Sequence, residues 1–477
     1  MKGQIACCIF LLLASAGARA GIDVDTRSLQ LSFSAYGDLS SVTACLPECS
    51  DLNARRQEFS SFRGFVSVNR DSNSAFELLR RNGEHSIELI FTNLVSQEAR
   101  RWRIPHDGYQ IGLEIIKPQG LAMAGGSALV PAQAPGFSQW LETLRYLDLS
   151  GSGLEQAGVE DALPPRDVAD HWIGFRNRFW TAMLLSEQPE SGHAAGASDQ
   201  GGVRWYLDGS RAPRARYAIY VGPIEPVALK SADPALQQLS YSGLWSWLKW
   251  LSYALFHFLT GIHSLFGNWG VSIVVLSLLV QVLMLPPNRF AERVQDQVRD
   301  TEIRLAPRIR EIKRQSSGAE QAERIMELYR TENVHPLYSL KSMVGLVFLV
   351  PVFIAAFNML AENAWLAGES FLWISNLARP DTVARLPFWI PFLGDGINPL
   401  PFLMTGLSMA AGWVQNRSVE DAQARFRLNR RLWIMSLVFF LLFYTFPAGM
   451  VLYWTVNNAF ALVFRSWHNR KATVTAA

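Results

Sequence analysis

At 477 residues the chain is long enough for two or three domains. With 49% hydrophobic against 18% charged residues, it suits a membrane protein better than a soluble enzyme. Its formal net charge of +3 is too small to point to nucleic acid as a partner, and where the charges stand says more than their sum.

The chain opens with Lys2, an apolar core over 5–14 and then Ala18-Arg19-Ala20. This is the form of a secretory signal cut after Ala20, with an uncleaved signal anchor as the alternative. The core is shorter than the ~20 residues a spanning helix needs. Under either reading residue 21 onward is exported. Cys7 and Cys8 fall in the signal, whereas Cys45 and Cys49 stand in Cys45-Leu-Pro-Glu-Cys49 of the exported part. Disulfides persist there, so this pair is expected to form one; a metal or redox site lacks a nearby histidine.

Residues 21–240 read as a water-soluble β domain. Leu29-Gln-Leu-Ser-Phe33, Phe65-Val-Ser-Val68, Ile87-Glu-Leu-Ile-Phe91, Tyr109-Gln-Ile-Gly-Leu-Glu-Ile115 and Tyr217-Ala-Ile-Tyr-Val221 are short apolar or alternating runs. Gly, Pro, Asn or Asp separate them, which predicts a β-sandwich. Residues 190–202, rich in Gly, Ser and Ala, predict a mobile loop. His85, His106, His171 and His193 are far apart and no paired carboxylates stand out, so the domain reads as a scaffold.

Residues 241–267 carry Trp245, Trp247 and Trp250 beside Lys249, the pattern of an amphipathic helix lying in a membrane interface. An ordinary spanning helix is the alternative. Five transmembrane helices are expected after it, at 268–287, 342–360, 397–415, 432–446 and 449–464. Residues 288–341, 416–431 and 465–477 together hold 19 Lys/Arg, against two in 361–396. Basic residues stay cytoplasmic, which puts 361–396 outside. Several spans are short: 432–446 makes about 22 Å of helix for a hydrocarbon core of about 30 Å. Such spans would thin the bilayer, or extend into flanking polar residues.

Polar residues inside the spans are few. Ser277 and Gln281 lie four apart on one helix face, and Asn358 follows Pro351. Tyr453/Asn457 and Trp454/Asn458 form two further stripes. Ser277, Gln281, Asn358, Tyr453, Trp454 and Asn457 would line a cavity open to the cytoplasm, or else serve helix–helix hydrogen bonding. Residues 288–341 read as a cytoplasmic helical hairpin, with 11 basic and 9 acidic residues and a turn at Ser316-Ser317-Gly318. Ala322, Ile325, Met326 and Tyr329 form an apolar stripe on its second arm, and Pro307 should kink or restart the first.

Three motifs recur in a fixed order: Gly267-Asn268-Trp269-Gly270, Leu328-Tyr329-Arg330-Thr331-Glu332-Asn333-Val334-His335-Pro336-Leu337, and Phe446-Pro447-Ala448-Gly449-Met450-Val451-Leu452-Tyr453. Their order and spacing resemble the YidC-type membrane protein insertases. Trp172-Ile-Gly-Phe-Arg-Asn-Arg-Phe-Trp180 and Tyr220-Val-Gly-Pro223 are similar to the periplasmic domain of the longer members, a β-sandwich like the sugar mutarotases. The resemblance implies an α+β inner-membrane protein that inserts and folds other membrane proteins through a hydrophilic groove. It implies nascent membrane proteins and lipids as partners, with the Sec translocon and, through the basic residues 465–471, the ribosome as further ones. The family generally carries an arginine on the first core helix, where this chain has Gln281, which keeps hydrogen bonding but loses the fixed cation.

No Ser-His-Asp, HExxH, Walker or GxGxxG constellation in a plausible context offers an enzyme, a cofactor or a metal site. A small transporter or channel with an exported sensor domain is the rival reading, as is a membrane-anchored carbohydrate-binding protein. Against transport, the spans carry no charged residue and no internal repeat.

Overall fold

The computed structural model describes residues 21–475 except 60–62, 68–75, 117–120, 126–140, 142–143, 152, 159–165, 168–170, 188–192, 200–201, 208–213, 333, 336–337 and 417–421. The expected signal at 1–20, with Cys7 and Cys8, lies outside the described residues. The chain divides into two units: the residues up to Gly243 with Ala361–Asn398 and Leu441–Pro447, and the remaining helical residues.

The first unit is a sandwich of two nine-stranded sheets. One runs in the order Gly153–Gly158, Arg145–Ser150, Trp172–Arg176, Trp180–Ser186, Arg214–Pro223, Gln110–Ile116, Ala99–Pro105, Ser86–Asn93 and Phe76–Asn82, every neighbour antiparallel. The other includes Ile22–Asp25, Leu29–Phe33 and Leu39–Leu46. Alternation sets the inner faces: Leu29, Leu31 and Phe33 on one sheet and Ile87, Leu89 and Phe91 on the other are all buried. Phe33 joins the sheets, its ring 5.2 Å from that of Trp102 and 6.1 Å from that of Phe91. Gly37 turns the chain between Leu29–Phe33 and Leu39–Leu46 at φ +75, and a Cβ there would meet Phe91 at 2.6 Å. Only glycine fits that approach.

Arg100 enters this core with partners for its charge. It reaches Asp38 at 2.5 Å, Glu98 at 2.9 Å and the Tyr36 carbonyl at 3.1 Å, all three ionic side chains being almost fully buried. Removing one member would leave a buried charge unpaired. Cys45 and Cys49 are joined by a disulfide, and the Cys45 carbonyl accepts the Tyr109 hydroxyl at 2.7 Å.

The five runs read as strands fall in strands except for Tyr109, which precedes Gln110–Ile116, and Val68, which lies outside the described residues. The loop expected over 190–202 is corrected: His193–Asp199 pairs antiparallel with Gly202–Leu207, while 190–192 and 200–201 lie outside the described residues. Ala, Gly and Ser have weak strand preference, so a single-sequence reading sees a loop. The ladder to Leu121–Gly125 supplies what propensity does not.

The same unit takes up Ala361–Asn398 through three arginines. Arg178 donates from Nε to the Ala361 carbonyl at 2.6 Å and from Nη1 to that of Ala378 at 2.8 Å. Arg55 donates to the Trp365 and Ala367 carbonyls and pairs with Glu369. Arg176 pairs with Glu362 at 3.2 Å, and Glu362 also accepts the Tyr241 amide. Asn398 in turn donates to the Tyr444 carbonyl at 2.7 Å, tying the segment to Leu441–Pro447.

Among the described residues the α-helices are α1 Pro226–Ala232, α2 Ser246–Phe266, α3 Trp269–Gln315, α4 Gly318–Thr331, α5 Val344–Ala361, α6 Pro399–Asn416, α7 Ala422–Phe443 and α8 Ala448–Thr475. Pro307 does not restart a helix; α3 runs unbroken through Pro286, Pro287 and Pro307. A proline deletes one intrahelical hydrogen bond, which a long, otherwise helix-favouring segment absorbs. Helix α7 begins ten residues before the apolar run at 432, because arginine is a good helix former that hydropathy ignores. It stops at Phe443, three residues short of 446, where the residue before Pro447 resists the helical region.

Candidate substrate groove

The helical unit turns its first corner on the Gly267-Asn268-Trp269 motif. Gly267 ends α2 in the left-handed conformation at φ 66, and the Asn268 side chain caps α3 by accepting the Val271 amide at 3.0 Å. The Trp269 ring then stacks on His263 at 3.9 Å. The motif is thus a rigid joint between two helices. On α2, Leu248, Ser252, Leu255, Phe256 and Leu259 form the buried stripe, and Trp245, Trp247 and Trp250 are exposed. That division suits a helix with one face on protein and one on lipid headgroups.

Helix α3 packs through Trp269, Ile273, Leu276, Ser277 and Val280, a 3–4 spacing that is one helical face. Gln281 continues this face and is half-buried. Ser277 is fully buried, and its hydroxyl donates to the Ile273 carbonyl at 2.7 Å on its own helix. Asn358 on α5 likewise donates to its own helix, to Ile354 at 2.8 Å, and stays half-buried. Both side chains therefore have a partner without water.

Helix α8 distributes its polar residues over different neighbours. Trp454 packs edge-on to Phe353 of α5 at 4.9 Å and stacks with Phe439 of α7 at 6.2 Å. Asn458 donates to Ser408 of α6 at 2.5 Å, a hydrogen bond between helices that the sequence reading did not anticipate. Tyr453 is buried, and Asn457 follows it one turn on. The Asn457 Oδ1 atom is buried and has no hydrogen-bond partner among the described residues. The structure therefore brings α5, α6 and α7 to α8, while α3 packs against α8 as well. Gln281, Asn358, Trp454 and Asn457 keep part of their surface exposed; Ser277 and Tyr453 lie behind it.

The chemistry available here is hydrogen bonding and stacking. The described parts of α3 over 269–285 and of α5 hold no charged side chain. The expected apolar stripe of α4 is not buried: Met326 is 43% exposed, and Tyr329 meets Tyr338 edge-on at 5.8 Å.

Residues 261–475 match the family described as 60Kd inner membrane protein. A membrane protein insertase YidC of Coxiella burnetii (strain RSA 331 / Henzerling II) is 29% identical over 346 residues, covering 68% of this chain and 54% of that one. That of Methylobacillus flagellatus is 28% identical over 371 residues, covering 74% and 59%. That of Ralstonia nicotianae is 32% identical over 247 residues, covering 51% and 39%. The chain spans about half the length of the first of these relatives, 54%. Residues 261–475 are thus similar to the 60Kd inner membrane proteins, and the relatives matched over a wider part of the chain are YidC insertases.

Proposed function

We propose that this chain is a membrane protein insertase and chaperone of an inner membrane, working without covalent catalysis. One observation carries the reading: the matched residues 261–475 take in the apolar helices, whose few polar side chains include those of α3, α5 and α8. A half-buried Gln281, Asn358 and Asn457 offer hydrogen bonds to a polar segment on its way through lipid, lowering the cost of leaving its groups unsatisfied. Ser277, Tyr453 and Trp454 would form the packed wall behind them.

In this reading α3 to its midpoint, α5, α6, α7 and α8 give five spans. The β-sandwich and 361–396 face outward, and the second half of α3 with α4 forms a cytoplasmic hairpin. The basic residues of 288–341, 416–431 and 465–477 support that orientation. Among the described residues two helices, Trp269–Gln315 and Val344–Ala361, are long and apolar enough to cross by themselves; Pro399–Val414 and Ala448–Val463 are shorter apolar segments. Clients are nascent inner-membrane proteins, with the Sec translocon and ribosome as proposed collaborators. The test is complementation: this chain should restore growth and client insertion in cells depleted of their own insertase. Stable membrane accumulation without any restored insertion would sink the proposal.

A further inference from the structure

The segment between α5 and α6 carries two tight turns whose tips are apolar. At the first, Phe371 and Ile374 exchange both backbone hydrogen bonds, leaving Leu372 and Trp373 at the tip. At the second, the strands Ala384–Ile390 and Gly394–Ile397 pair antiparallel, and Phe392 stands between them. Leu372 has φ 54 and Phe392 φ 67, in the left-handed region where turns ordinarily place Gly, Asn or Asp. Each tip therefore holds a bulky apolar side chain on strained backbone. Leu372 is 75% exposed and Phe392 67%.

The second hairpin is apolar and widely exposed. Its ladder is interrupted between Arg385 and Ile390, and Phe388 and Trp389, which lie in that irregular stretch, are each 60% exposed. A two-stranded ribbon alone in water is marginal. The segment is also joined to α5 at one end and α6 at the other, two apolar helices. We infer that the 384–397 hairpin dips its Phe388, Trp389 and Phe392 side chains into the headgroup region of the outer leaflet. Trp and Phe are favoured at that depth, and unpaired strand edges bar the hairpin from going deeper. Arg385 and Asp395, 3.6 Å apart at its base, mark the water side.

This inference rests on the membrane placement proposed above and not on insertase activity, so it is tested without a client. On a Cys7→Ser, Cys8→Ser background, Phe392→Cys, Val347→Cys of α5 and Leu52→Cys of the β-sandwich are each labelled with an environment-sensitive dye. The full chain is then reconstituted in phosphatidylethanolamine/phosphatidylglycerol vesicles with or without nitroxide-bearing lipids. The label at 392 is expected to lose fluorescence to a nitroxide near the headgroup more than to one deep in the acyl chain. The label at 347 should be quenched too, and that at 52 should not. Quenching at 347 but not at 392 overturns the inference and leaves the membrane placement standing. Quenching at neither position overturns both. A response at 392 that needs an added client polypeptide makes the client the occupant and also overturns it.

Discussion

The Arg178 side chain and the Ala361 carbonyl are held 2.6 Å apart, linking the turn after Trp172–Arg176 to the last residue of α5. Arg178 is 5% exposed and also serves Ala378, so its guanidinium satisfies carbonyls that have left their helix or strand partners behind. Arg178→Ala should destabilise the β-sandwich unit by about 2–3 kcal/mol, the worth of a charged hydrogen bond and of the acceptors left unpaired. Arg178→Lys should recover only part, since an ammonium cannot span two carbonyls in the guanidinium fork. Limited proteolysis within 361–398 reads the effect; equal cleavage of parent and Ala variant would remove the clamp from the account.

Gln281 tests the groove. If it faces hydrated space, Gln281→Arg should keep folding and retain or raise insertion of clients with acidic exported tails, while Gln281→Leu should lower it. Packed against a neighbouring helix, the same arginine would cost about 2.5–3.5 kcal/mol and reduce membrane abundance. Insertion of several clients at matched expression distinguishes these. Equal activity of the Leu variant and the parent would show that polarity at this position is not used.

Much of this was legible from residues. The alternation Ile87-Glu-Leu-Ile-Phe91 announces a strand because one face must be buried and the other not, and burial follows it position by position. Gln281 and its stripe were visible because a polar residue in an apolar run is conspicuous. The clamp was not. Arg176 and Arg178 stand in an otherwise apolar motif, which is a signal, but the acceptors of Arg178 are backbone carbonyls 183 and 200 positions away, which no side-chain pattern reveals, and Arg176 pairs with the equally distant Glu362. Asn458 was seen as a stripe on α8; its partner Ser408 was not, because hydrogen bonds between helices depend on how the helices cross.

Orientation is checked by labelling. Cysteines placed in 300–330 should react with an impermeant thiol reagent only from the cytoplasmic side, and cysteines in 366–390 only from outside, as the Lys/Arg distribution requires. The reverse pattern would turn the topology over and take the groove with it.

Alkaline pH should loosen the β-sandwich unit through two tyrosines. Burial, reinforced by the Glu225 and Asp107 carboxylates, raises the Tyr109 pKa above its ordinary 10.0. Burial, with Tyr109 and Glu225 nearby, raises that of Tyr220 as well. Below pH 10 both are protonated, folded or unfolded, and nothing is lost. Above it the unfolded chain releases its protons first, so stability falls by up to about 1.4 kcal/mol per pH unit for each tyrosine. Melting of the full chain between pH 9 and 12 should show this decline. Tyr109→Phe with Tyr220→Phe should flatten it, whatever the variant's melting point at pH 8; an unchanged slope would assign the decline elsewhere.

The unbroken course of α3 has a mechanical consequence. From Pro287 to Gln315 the helix is a strut of about 42 Å, carrying the turn to α4 at its far end. Adjacent prolines are where a helix bends most readily, so Pro286 and Pro287 serve as its fulcrum. A tilt there of roughly 5° swings the tip by about 4 Å over that length. Gln281 lies less than two turns before that fulcrum, on the same unbroken helix.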